Sequence, residues 1–144
     1  MSVDAVHEQI RLYARQLKLP AFSRYPDILR RARPDDRFED LLLELMKAET
    51  AQRQENQNRR RLKTAGFPYT KTLEELDLSC YDGKLSALFV NELASCRFIT
   101  EKKNVVMVGN PGRGKTHMAI GLGLKACALG MSVLFKNAAT LSTE

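Results

Sequence analysis

Eight consecutive residues, Gly109-Asn110-Pro111-Gly112-Arg113-Gly114-Lys115-Thr116, fit the spacing G-x-x-x-x-G-K-[S/T] at every fixed position. Each fixed type serves one chemistry, the holding of a polyphosphate. A main chain that curls around phosphate oxygens needs unusual dihedral angles and close approach, which Gly109, Gly112 and Gly114 allow. Its N–H groups then converge with the positive end of the following helix dipole, so the anion is bound largely by backbone. Lys115 is suited to neutralise charge between the β- and γ-phosphates, and the Thr116 hydroxyl to ligate Mg²⁺. Asn110, Pro111 and Arg113 fill the variable positions. Arg113 reads either as a solvent-facing side chain or as a further contact to nucleotide or nucleic acid.

Such a loop needs a strand before it and a helix after it. "VVMVG", residues 105 to 109, is rich in β-branched types and apolar on both faces, as a strand inside a parallel sheet would be. From Lys115 to about Leu129 nearly every side is apolar, which predicts a helix packed on a sheet, with Gly130 as its C-terminal cap. "SVLFK", residues 132 to 136, reads as a second strand.

The preceding chain reads as helical. Val6, Ile10, Tyr13 and Leu17 recur at helix spacing, and a short second helix, begun by Pro26, carries Ile28, Leu29 and Ala32 and stops before Pro34. Asp36 with Glu39 has the spacing of a capping box for a third helix, whose face is Phe38, Leu41, Leu42, Leu45 and Met46. That face ends at "QRQENQNRRR", residues 52 to 61, which contains no helix breaker. One helix from about Phe38 to Ala65 is therefore expected to project from its bundle. Thr72 with Glu75 forms another capping box, and Asp82 is placed to cap a helix with the face Leu85, Leu88, Phe89, Leu93 and Cys96.

The net charge of +6 is uneven, with 14 Lys and Arg against 10 Asp and Glu in residues 1–66. Within it, Arg53, Arg59, Arg60, Arg61 and Lys63 oppose only Glu55, a cluster suited either to solvent or to DNA phosphates. No base-reading motif accompanies it, so contact independent of base sequence is the expectation. Cys80, Cys96 and Cys127 form no CxxC pair and lie in apolar patterns, as buried thiols do, and His7 and His117 lack ligand-spaced partners. The polar, acidic start and the lack of a long apolar run make the cytoplasm the default location.

"GNPGRGKTHMAIGLGLKAC", together with "LLLELMKAE", "RRRLKTAGFPYTKTLEELDLS" and "RFITEKKNVVMVG", resembles the IstB-like ATP-binding proteins. These are transposition-helper ATPases of bacterial insertion sequences, related to the DnaC-type helicase loaders. The resemblance implies an α/β P-loop NTPase of the AAA+ type, represented by its N-terminal portion and preceded by an α-helical domain. Residues 1–66 would be that domain with its basic helix, 67–103 a helical connector, and 104–144 a partial core. ATP and Mg²⁺ would be the cofactors, held by Gly109, Asn110, Pro111, Gly112, Arg113, Gly114, Lys115, Thr116 and His117, with Thr116 on the metal. DNA, contacted by Arg53, Arg59, Arg60, Arg61 and Lys63, a transposase and further copies of the family member would be the partners.

The family's acidic Walker B strand, sensor residue and intersubunit arginine have no match in these residues, so no catalytic residue is assigned and hydrolysis is left undecided. The expectation is a chain cut short within its core, with an incomplete sheet in which strands 105–108 and 132–136 are not neighbours. Two other readings stay open: a replicative helicase loader, and a non-catalytic helical DNA-binding or interaction module with a vestigial loop.

Overall fold

The computed structural model of the chain describes residues 2–81 and 83–142, with the backbone alone at Cys80. Seven helices are described: α1 Val3–Gln16, α2 Tyr25–Arg31, α3 Phe38–Ala65, α4 Ala87–Ala94, α5 Arg97–Thr100, α6 Lys115–Ala128 and α7 Ala138–Leu141. They fall into two compact units, Met1–Gln57 and Asn58–Glu144. None of the described helices is long and apolar enough to cross a membrane.

In the first unit, the Ser2 hydroxyl caps α1 by accepting the Ala5 N–H at 3.3 Å. The packed side of α1 is His7, Ile10 and Ala14, whereas Tyr13 and Leu17 are exposed, so the expected face is rotated. His7 meets the Tyr25 ring edge-on at 5.5 Å between centroids. Lys18 ends α1 in the left-handed region, where glycine is more usual, and the Leu19 N–H reaches back to the Ala14 carbonyl at 2.7 Å.

The third helix starts as expected at Phe38, but its cap differs from the predicted one. Asp36 accepts the Arg33 N–H at 2.7 Å and closes a turn, while Asp40 accepts the Arg37 N–H at 3.0 Å. The acid three residues inside the helix thus serves the first free donor, one register later than Asp36 with Glu39. Of the expected face, Phe38, Leu42 and Met46 are exposed, and the packed side does not end with the apolar residues. It runs through Leu41, Leu45 and Ala48 and continues in polar residues, Glu49, Gln52 and Asn56. Glu49 is 5% exposed and accepts the Ala21 N–H at 2.9 Å, and Gln52 accepts from Arg24 at 3.0 Å. Hydrogen bonding lets these side chains be covered where apolarity cannot. The packed side of α3 thus extends past its apolar residues as far as Asn56, whereas Arg59, Arg60 and Lys63 further along are exposed.

In the second unit, Leu73, Val90, Met118 and Leu122 form the buried core, surrounded by Leu76, Tyr81, Leu85, Leu93 and Met107. The end of α3 belongs here: Ala65 is fully buried, and its carbonyl accepts the Phe135 N–H at 2.8 Å. Sequence places a division near residue 66; the compact units divide between Gln57 and Asn58, within α3.

The capping box at Thr72 forms, with the Thr72 N–H donating to Glu75 at 2.6 Å, and it opens a 3₁₀ turn, Leu73–Glu75. Asp82 lies outside the described residues; α4 is instead capped by Ser86, whose hydroxyl accepts the Phe89 N–H at 3.2 Å. Its buried residue is Val90, and Leu88, expected on the packed face, is 80% exposed. The chain then breaks at Cys96, left-handed with φ 56°, so of the expected face only Leu88, Phe89 and Leu93 lie in α4, with Leu85 before it and Cys96 between α4 and α5.

No β-ladder is present among the described residues, so the two expected strands are extended segments. Both keep strand alternation: Val105, Met107, Val133 and Phe135 are half-buried, while Val106, Val108 and Leu134 are 82%, 92% and 67% exposed. An extended segment with no neighbouring strand to form a ladder of backbone hydrogen bonds is not a strand of a sheet.

Candidate phosphate-binding site

Residues 109–116 link the extended segment ending at Val108 to the start of α6. Gly112 and Gly114 both have φ 76°, left-handed angles that glycine adopts without strain. Gly114 is the N-cap of α6, and its carbonyl accepts the Met118 N–H at 2.9 Å. The turn is also sterically closed to larger residues, because a Cβ on Gly114 would lie 2.6 Å from the Tyr81 hydroxyl oxygen.

Lys115 spans the loop. Its Nζ donates to the carbonyls of Gly109 and Asn110, each at 2.7 Å. A cationic head is thereby held over the turn, beside the free N–H groups of the first turn of α6. Thr116 is the second residue of that helix and is exposed. This donor set fits an anion and a hard cation: main-chain donors and an ammonium for phosphate oxygens, and a hydroxyl for magnesium.

Two cavities border the loop. One, of about 520 Å³, is lined by Tyr81, Leu85, Phe89, Val106, Val108 and Lys115 among others. The other, of about 370 Å³, has Lys71, Leu76, Tyr81, Gly112, Arg113 and His117 in its wall. Asn110 lines the first cavity, and Arg113 lines both. His117 Nε2 is 2.7 Å from the Thr72 carbonyl oxygen. A carbonyl only accepts, so this contact assigns the hydrogen to Nε2. Sequence spacing does not show this tie, since its partners are 45 residues apart.

Two of the basic positions have hydrogen bonds within the chain. Arg53 donates to Glu49 and to the Lys18 carbonyl, both at 3.2 Å. Arg61 donates to the Cys127 carbonyl at 3.4 Å, at the C-terminal end of α6. Arg59, Arg60 and Lys63 are exposed and fall within an arc of about 100° on α3. The side chain of Cys80 lies outside the described residues; Cys96 and Cys127 are free and buried, and burial pushes both thiols up.

Left-handed glycines at 112 and 114, a lysine held across the turn and a helix opening at Lys115 have the form of a phosphate-binding loop. The family of IstB-like ATP binding proteins matches residues 13–144, and the chain belongs to it.

Over 139 residues it is 30% identical to a Geobacillus stearothermophilus protein described as an ATP-binding protein of insertion sequence IS5376, covering 95% of the chain and 55% of that relative. A Pseudomonas aeruginosa protein described in the same terms for insertion sequence IS21 is 47% identical over 75 residues, which cover 52% of the chain and 28% of the relative. A Bacteroides fragilis relative, described as an IS21-like ATP-binding protein, is 31% identical over 131 residues, covering 85% of the chain and 65% of its own length. The chain therefore spans less than two thirds of each of these relatives.

Proposed function

We propose that the chain binds ATP through Gly109–Thr116, with phosphate oxygens held by main-chain N–H groups and Lys115. The observation that carries this reading is the Lys115 ammonium, 2.7 Å from two loop carbonyls beside the opening of α6. With ATP bound, Lys115 would exchange those carbonyls for phosphate oxygens, and the Thr116 hydroxyl would help to hold Mg²⁺. The metal would neutralise charge on the β- and γ-phosphates. Asn110, Pro111 and Arg113 shape the turn between the glycines. Hydrolysis is no part of this reading.

Residues 104–144 are read as the first part of an AAA+ core, 67–103 as its connector, and 1–66 as a helical domain preceding it. The wider role proposed is that of a transposition helper acting in the cytoplasm on DNA, as an oligomer, together with a transposase. Support comes from the insertion-sequence names of the relatives, which favour this role over helicase loading. Arg59, Arg60 and Lys63 are the residues proposed to meet DNA phosphates.

The test is a titration of the purified chain with ATP and Mg²⁺. The unsubstituted protein should bind, and Lys115→Ala should weaken binding by about 10-fold or more, as expected for losing a charge-assisted hydrogen bond. Absence of binding by the unsubstituted chain would leave the third reading, a non-catalytic module, in its place.

A further inference from the structure

Three residues on one stripe of α6 engage three consecutive residues of the connector. His117, Gly121 and Lys125 follow one another at intervals of four, so they share a face of the helix. Opposite them lie Thr72, Leu73 and Glu74. His117 Nε2 donates to the Thr72 carbonyl at 2.7 Å. Leu73 packs so closely on Gly121 that a Cβ there would meet Leu73 Cδ2 at 2.6 Å. Lys125 pairs with Glu74 at 2.6 Å. The connector residues are fixed in turn by the capping box, with Thr72 N–H and Oγ1 2.6 Å and 3.1 Å from Glu75 Oε2.

The first of these ties stands apart from the other two by its position. His117 directly follows Thr116 in the opening turn of α6, so whatever holds its ring also holds the helix end that closes the loop. Its Nε2 hydrogen is committed to the Thr72 carbonyl.

We propose that His117 is a positioning residue for nucleotide binding: it fastens the opening turn of α6 to the capped Thr72 and keeps the loop in its binding geometry without contacting the nucleotide. This rests on the reading that residues 109–116 bind ATP. Coupling follows in the other direction as well, because any shift of the α6 opening on phosphate binding is transmitted through His117 to Thr72 and so to the segment whose Lys71, Glu75, Leu76 and Asp77 border the smaller cavity.

The experiment is ATP titration of the full chain and five variants, with thermal unfolding recorded for each. His117→Ala should weaken binding about 5- to 10-fold, the size expected for one hydrogen bond. His117→Gln, whose amide can still donate to the Thr72 carbonyl, should bind within about 2-fold of the unsubstituted chain. Glu75→Ala frees Thr72 and should weaken binding as His117→Ala does. The double variant should be no weaker than His117→Ala alone, since both break one connection. Lys125→Ala loosens the connector at the far end of α6 and should lower the thermal midpoint while leaving affinity within about 2-fold.

If His117→Ala binds ATP as well as the unsubstituted chain, or if the double variant loses the product of the two single effects, His117 has no such role. Should His117→Ala fail to fold, Glu75→Ala and His117→Gln decide between these outcomes. Failure of the unsubstituted chain to bind ATP overturns the binding proposal and this one together; binding with an unaffected His117→Ala overturns this one alone.

Discussion

Glu49, in the middle of the longest helix, accepts the backbone N–H of Ala21 at 2.9 Å across 28 positions of sequence. Both residues are buried, at 5% and 2% exposure, and the second carboxylate oxygen of Glu49 takes the Arg53 guanidinium at 3.2 Å. The turn that follows α1 is thus fastened to α3 by one acid. Glu49→Ala leaves the Ala21 N–H without its acceptor and should cost the N-terminal unit about 1–3 kcal/mol, read as a lower urea midpoint by circular dichroism. An unchanged midpoint would mean that water replaces the carboxylate at no cost.

The proposed DNA contacts can be tested separately from stability. Arg60→Glu with Lys63→Glu should reduce DNA retention at low salt while leaving the thermal midpoint in place, because both side chains are exposed. The salt dependence should flatten by about one unit of log–log slope for each phosphate that is no longer neutralised. Arg61→Ala should instead lower the midpoint, since its guanidinium donates to the Cys127 carbonyl. Retention that survives the double reversal would place DNA binding elsewhere.

Gly121 offers a test of close packing. Alanine normally favours a helix interior by about 1 kcal/mol over glycine. Here its Cβ would lie 2.6 Å from Leu73 Cδ2 and 3.1 Å from the Leu73 nitrogen. Gly121→Ala should therefore lower the urea midpoint, by about 1–3 kcal/mol less whatever the helix gains, and valine should do worse. A more stable Gly121→Ala would show that Leu73 moves aside freely.

Acid should loosen the ties made by residues 72–75. The Lys125 ammonium beside Glu74, and the Thr72 N–H donating to Glu75, hold both carboxyls below the ordinary 4.5. Folded values below unfolded ones mean that the unfolded chain binds more protons in that range. Their stabilisation is present above about pH 4.5 and is lost as pH falls through the folded values. Asp40 and Glu101 are lowered too and add to the same decline. A Glu74→Gln/Glu75→Gln variant should show a shallower fall in urea midpoint between about pH 4.5 and pH 3; an identical fall would assign the acid sensitivity to other groups.

The parts of this fold that could be read from sequence are those governed by neighbours along the chain. The span of α3, the capping box at Thr72, the start of α6 at Lys115 and its left-handed end at Gly130 all follow from local spacing and backbone freedom. What could not be read depends on which face of a helix meets something else. Leu88 and Val90 are both apolar residues of α4, and only tertiary packing buries Val90 and exposes Leu88. Arg61 has the composition of a phosphate contact, yet a carbonyl 66 positions away accepts its hydrogen bond. His117 belongs to the recognisable motif, but its bond to Thr72 leaves no periodic trace.

The two bonds from Lys115 to Gly109 and Asn110 also bear on discrimination between ligands. Each is a charge-assisted bond to a neutral carbonyl, and a ligand must offer something stronger to redirect the ammonium. Polyphosphate oxygens do, whereas a nucleoside, identical in base and sugar but uncharged, does not. A loop that binds ATP as proposed would admit molecules by charge before it measures their shape, and adenosine should be a poor competitor even at concentrations where inorganic pyrophosphate displaces ATP.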